Sequence, residues 1–179
     1  MRRGPRRRHP QARPGHRRAS HAPRARARVA RWKARAPVPQ RLEGLQRLAV
    51  LVLRLLLGFV FVMHGSQKLL GAGGIAGFAG ILAKSGIEPH VPLAWVVAIT
   101  EFVGGICIFF GFLTRFWAAG LVIDMAVALL KVHLVNGFFI SKNGFELVFT
   151  LGVLALAVVL MGPGAPSVDR ATGIEKGAG

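Results

Sequence analysis

LQRLAVLVLRLLLGFVFVMHGSQKLL, residues 45–70, is the stretch on which the fold turns. It exceeds the ~20 residues that an α-helix needs to cross a bilayer. Apolar side chains surround it instead of forming one stripe, a pattern suited to lipid and not to water. Three further runs of this kind follow, Pro92–Gly111, Arg115–Leu134 and Glu146–Met161. Hydrophobic residues make up 53% of the chain and its mean hydropathy is +0.49. The expected fold is all-α, a membrane-embedded four-helix bundle. A soluble bundle would need polar outer faces on these helices, and the runs lack them.

The breaks between runs carry their own signals. Gly71, Gly73 and Gly74 end the first. Ile75, Phe78, Ala79 and Leu82 then recur at helical spacing, which predicts a short interfacial helix between spans 1 and 2. Pro92 suits the first turn of the second span and Thr114 the N-cap of the third. Asn136-Gly137 reads as a turn, and Gly162-Pro163-Gly164 with Pro166 stops the fourth span. Trp95 and Trp117 lie near span ends, as interfacial aromatics do. Gly104-Gly105 and Gly73/Gly77 permit close helix packing, within the bundle or in a homo-oligomer.

Charge divides the chain. The formal net charge is +17, yet fifteen of the 24 Lys and Arg residues fall in 1–41 and every acidic residue lies beyond it. Residues 1–41 therefore read as a basic Arg/Pro/Ala-rich extension with too little apolar surface to fold alone. Residues 42–169 form the four-span domain and 170–179 a short tail. Nucleic-acid binding is not expected, because no aromatic interleaving or folded module accompanies the basic residues. Cationic residues are retained on the cytoplasmic side, so both termini are expected there. Arg115, Arg170 and Lys176 agree, while Lys84 and Lys142 fall outside. Cys107 is the only cysteine, so the chain contains no internal disulfide or dithiol pair.

Charged residues inside the runs are the candidates for function, because charge within a bilayer normally faces a bundle interior or a polar cavity. Arg54, Lys68 and Lys131 balance Glu101, Asp124 and Glu146. Counting ~1.5 Å per residue from the ends of the runs puts Arg54, Glu101 and Asp124 at one depth. The expectation is that Arg54 bridges toward Glu101 or Asp124. A second polar layer nearer the outer surface comprises His64, Lys68, Lys131, His133, Asn136 and Glu146. His64 and Lys68 share a helix face, and so, seven residues apart, do Asp124 and Lys131. No metal site is expected. Two axial imidazoles, His64 and His133, would suit a haem, but no His or Cys cluster accompanies them, and hydrogen-bonded histidines are commoner.

These features resemble the DoxX family of small four-helix membrane proteins. The matching stretches are RLLLGFVFVMHGSQKL (54–69), EFVGG (101–105), GFLTR (111–115), HLVNGFF (133–139) and NGFE (143–146). The resemblance implies a multi-pass protein of the bacterial plasma membrane. Related proteins include a membrane subunit of a thiosulfate:quinone oxidoreductase and members of membrane redox complexes that handle thiols and oxidative stress.

The expected role is an accessory subunit of a membrane redox system, assisting a redox partner protein. A quinone-like or small-molecule pocket would lie near the outer leaflet. The chain shows no cofactor motif of its own, and a quinone is the cofactor this reading invites. His64, Lys68 or His133 would supply donors to a quinone carbonyl, and Glu101 or Glu146 would relay protons. Two rivals remain: a small proton- or anion-coupled transporter, and a structural membrane subunit without ligand.

Overall fold

The computed structural model describes residues 40–174, with side chains from residue 44 onward; the basic extension expected over 1–41 lies outside that side-chain description. Helix α1 spans Gln40–Leu70 and α2 spans Gly74–Lys84. They are followed by α3 (His90–Phe110), α4 (Thr114–Ala128), α5 (Glu146–Met161) and a short α6 (Val168–Thr172). Helix α4 continues through a wider π-type turn, Leu129–His133, and a 3-10 turn, Leu134–Asn136. No strand occurs among the described residues.

Three of these segments are long and apolar enough to cross a membrane: Gly44–Leu70, His90–Phe110 and Thr114–Asn136. The fourth bundle helix, α5, has only 16 residues, about 24 Å at 1.5 Å per residue. Phe138, Phe139 and Phe145 extend its apolar length with edge-to-face ring contacts at centroid distances of 5.4 Å. The expected bundle is thus present, and the interfacial helix appears as α2, with Ala79 and Leu82 buried against Ala94.

Helix α1 packs chiefly against α3 and α4 against α5, while α3 on α4 joins the two pairs. Buried Leu57, Phe61, Ile108, Leu121, Met125 and Val158 belong to the shared core. The α1–α3 approach depends on missing side chains. A Cβ at Gly58 would lie 2.7 Å from the Gly105 carbonyl oxygen, and one at Gly105 would lie 2.8 Å from the Val62 nitrogen. Gly65 meets the backbone of Phe102 in the same way. These contacts fix how far the two antiparallel helices slide along each other. Trp117 turns inward, with its ring against Gly104, instead of sitting at an interface.

At one end of the bundle the chain folds back on itself. Helix α3 stops at Gly111, which has φ 76°, and Phe112 N–H closes the turn by donating to the Cys107 carbonyl at 2.8 Å. Thr114, expected to cap α4, is instead its first helical residue, and Leu113 precedes it at φ 46°. The cap comes from Asp169, a fully buried residue 55 positions away. One of its oxygens accepts from Leu113 N–H at 2.7 Å; the other accepts from Thr114 N–H at 3.0 Å and from the Thr114 hydroxyl at 2.9 Å. These bonds satisfy the unpaired amides of the first turn and hold the left-handed Leu113 in place.

Arg54 belongs to this end. Its guanidinium donates to the carbonyls of Pro163 and Pro166, at 2.6 Å for the latter, and lies in the field of Asp169. The expected bridge from Arg54 to Glu101 or Asp124 does not form. The glycine contacts set the register so that Arg54 lies opposite Gly111 and not opposite Glu101. Depth counted from the ends of apolar runs does not register that slide.

Candidate functional site

The opposite end of the bundle holds a cavity of about 1150 Å³, walled by α1, α3, α4 and α5, with α2 over it. Phe61, His64 and Lys68 contribute from α1 at i, i+3 and i+7, one face of a helix. Thr100 and Glu101 contribute from α3, and Asp124 from α4. Phe78, Ile81 and Leu82 of α2 add an apolar wall.

Lys68 and Glu101 form an ion pair across the α1–α3 contact, with Glu101 only 3% exposed and the Lys68 side chain 19% exposed. The same ammonium sits 5.0 Å from the Phe78 ring centroid, a distance at which the ring face attracts a cation. The Asp124 carboxyl lies beside Glu101 and within electrostatic range of Lys68. Its Oδ2 is buried, and the carboxyl lies within hydrogen-bonding range of that of Glu101. The site therefore sets two carboxyls and one ammonium in surroundings that are mostly apolar.

His133 also lines the cavity, and its Nδ1 donates to the Asn143 carbonyl at 2.8 Å. With a carbonyl as partner, Nδ1 carries a proton. Asn136 and Glu146 are not in the wall; they hold the loop that is. Asn136 Nδ2 donates to the carbonyls of Val132 and Asn143 at 3.3 and 3.2 Å, and Glu146 Oε2 accepts from Ile140 N–H at 3.1 Å. Ile140 and Asn143, so positioned, face the cavity.

Lys131 is exposed and absent from the cavity wall, so it does not share the face of Asp124. The π-type turn over Leu129–His133 explains this. Each hydrogen bond there spans one residue more than in an α-helix, which advances the register. Val132 and His133 face the cavity where an unbroken α-helix would have presented Lys131. Of the nine sequence candidates, His64, Lys68, Glu101, Asp124 and His133 come together; Asn136 and Glu146 support the rim; Lys131 and Arg54 lie elsewhere. Sequence reasoning missed Asn143 and Thr100 in the wall, and Asp169 at the other end. Asn143 carried one usable signal, an Asn-Gly pair between apolar runs; it takes the left-handed conformation at φ 59°.

Comparison with known proteins agrees with this architecture. The DoxX family model matches residues 49–134. The inner membrane protein YqjF of Escherichia coli is 34% identical over 137 residues, covering 72% of this chain and 95% of that protein. The uncharacterized membrane protein Rv3486 of Mycobacterium tuberculosis is 32% identical, covering 68% of this chain and 80% of its own length. A Bacillus subtilis protein named "Putative oxidoreductase CatD" is 28% identical, covering 62% of this chain and 78% of its own. No solved structure matches. The family match, the extent of these alignments and the helical membrane bundle lead to one conclusion: the chain belongs to the DoxX family.

Proposed function

We propose that this chain is an accessory subunit of a membrane redox system and that its cavity binds a quinone-like small molecule. The observation that carries this reading is the Lys68–Glu101 pair with Asp124 beside it, set in the wall of a large apolar cavity. A pocket of mainly apolar lining with a few convergent polar groups suits a flat, apolar ring bearing oxygens. A bound quinone would supply the electron-accepting chemistry. The chain's own residues bind and orient: Lys68 and His64 offer donors to ring oxygens, the Glu101 and Asp124 carboxyls lie beside them in the wall, and α2 adds an apolar side to the cavity. Electrons would come from a partner protein, since Cys107 is the sole cysteine. The name of the B. subtilis relative is in keeping with a redox role.

In this reading the protein is a four-pass protein of the bacterial plasma membrane with cytoplasmic termini, and the cavity lies toward the outer leaflet. The basic residues 1–41 support that orientation by the retention of cations inside. Solvent extraction of the detergent-purified protein, followed by chromatography of the extract, tests the central claim. A stoichiometric quinone is expected; an extract with no more quinone than an unrelated membrane protein purified from the same cells overturns it.

One observation favours a second reading. The Asp124 carboxyl, set beside that of Glu101 with its Oδ2 buried, is also what a proton-coupled transporter would place on its path. Solute uptake into proteoliposomes driven by a pH gradient, and abolished by Glu101→Gln, would establish that function instead.

A further inference from the structure

The helices around the cavity do not close it evenly. Between α1 and α3 the glycine contacts leave no room for a side chain. Between α3 and α4 the contact is close only toward Gly111. There a Cβ at Gly104 would lie 2.9 Å from the Trp117 ring, and one at Gly120 would lie 3.3 Å from the Thr100 methyl. Thr100 and Gly120 are themselves cavity residues, so the cavity begins where that contact ends. Past it, Val96 and Val97 border the cavity on α3, and Ile123 and Val127 border it on α4. Val96 is 58% exposed and Ile123 66%, against 0% for Phe61 elsewhere in the wall. Both lie in segments long and apolar enough to cross a membrane, His90–Phe110 and Thr114–Asn136. An aliphatic side chain exposed within a span meets lipid tails, which are as apolar as itself. The cavity thus has an aliphatic edge between α3 and α4, while the Lys68–Glu101 pair lies across the α1–α3 contact.

We infer that the cavity opens sideways into the bilayer between α3 and α4, and that its ligand carries a long apolar chain which leaves through this slot while the polar ring stays beside Lys68. The inference rests on the quinone-like reading above and names the class of molecule: a lipid that reaches the site from the membrane, not a water-soluble compound. A chain led between Val96 and Ile123 passes from aliphatic side chains to the acyl chains of the bilayer without meeting water. A chain led past Gln67 and Asn143, both polar, exposed and in the wall, would be set against groups that prefer water. Thr100 and Gly120 close the slot at its deep end, since the helices touch there. The competing arrangement is a slot filled by the acyl chains of bulk lipid, with the ligand held elsewhere in the cavity.

The test is photolabelling of the full chain in lipid nanodiscs. The probe is a benzoquinone whose decyl chain carries a diazirine near its middle, and mass spectrometry locates the labelled residues. Each experiment is repeated with excess decyl-benzoquinone lacking the diazirine, so that only label lost to competition counts. The expected result is competed label on Val96, Ile123 or Val127, falling about tenfold when the competitor is in about tenfold excess over a saturating probe. Competed label confined to residues away from the slot, such as Ile81 of α2 or Leu147 of α5, overturns the inference and leaves the quinone-like pocket standing. Label at Val96 and Ile123 that the competitor does not reduce, with competed label elsewhere, assigns the slot to bulk lipid and overturns the inference in the same way. No competed label at any residue overturns the pocket reading as well.

Discussion

Lys68 and Glu101 meet because glycines bring their helices together. The two residues are 33 positions apart on antiparallel helices. Gly58, Gly65 and Gly105 let the α1 and α3 backbones approach until a Cβ would collide. That contact sets the slide of one helix along the other, and the slide places the ammonium against the carboxylate. The ion pair and the glycine seam are therefore one feature.

Removing either charge should cost more than removing both. Lys68→Met or Glu101→Leu alone leaves one charge of the pair in the wall without its partner and is expected to destabilise by about 3 kcal/mol. The Lys68→Met/Glu101→Leu double variant should recover most of that loss, since apolar residues of similar volume replace the pair. Unfolding of all variants in the same detergent measures the coupling; simple additivity would refute it.

The glycine seam should be intolerant at some positions and indifferent at others. Gly58→Val forces a methyl-bearing carbon onto the Gly105 carbonyl and the Phe109 backbone, and is expected to cost at least about 2 kcal/mol or to prevent assembly. Gly80 lies on α2, where an added Cβ would meet nothing within 4 Å; Gly80→Ala should stabilise by about 0.5 kcal/mol through helix propensity. Paired thermal unfolding experiments on the two variants check the contrast.

Asp169 should behave as a helix cap supplied from a distance. Asp169→Ala removes three hydrogen bonds from the start of α4 and is expected to destabilise by about 2 kcal/mol. Hydrogen exchange should rise first at the Leu113 and Thr114 amides. Arg54→Lys should also weaken this end, because a single ammonium does not reproduce a planar fork directed at two carbonyls.

Glu88 should titrate below the ordinary glutamate range. Its side chain is exposed, and its carboxylate accepts from the His90 ring at 2.8 Å and the His90 amide at 3.2 Å, which lowers its pKa. A depressed folded-state value means that the contribution is present above the unfolded-state pKa and is lost as pH falls through the folded-state one. Carbon-detected NMR titration of Glu88 should show the low midpoint, moving up toward the free value in His90→Ala.

The span limits are legible in the sequence because they depend on local composition. The glycine stops, the α2 periodicity and the membrane setting all follow from a few neighbouring residues and the solvent they suit. Five cavity residues are legible for a related reason: charge inside an apolar run has few places to go. Counting depth along each run separately pairs Arg54 with the acids, and the packed helices do not keep that alignment. An unbroken α-helix would set Lys131 on the Asp124 face, and the residues Leu129–His133 carry no Gly or Pro to announce a wider turn.

Helix existence, apolar length and the choice of lipid over water were settled along the chain, since each depends on residues within a few turns. Pairing was settled across it. Which charge meets which, and that Asp169 closes α4 while Arg54 binds the Pro163–Pro166 segment, depend on how far packed helices slide and where a distant segment folds back. Those are properties of surfaces in contact, and no single stretch of residues contains both surfaces.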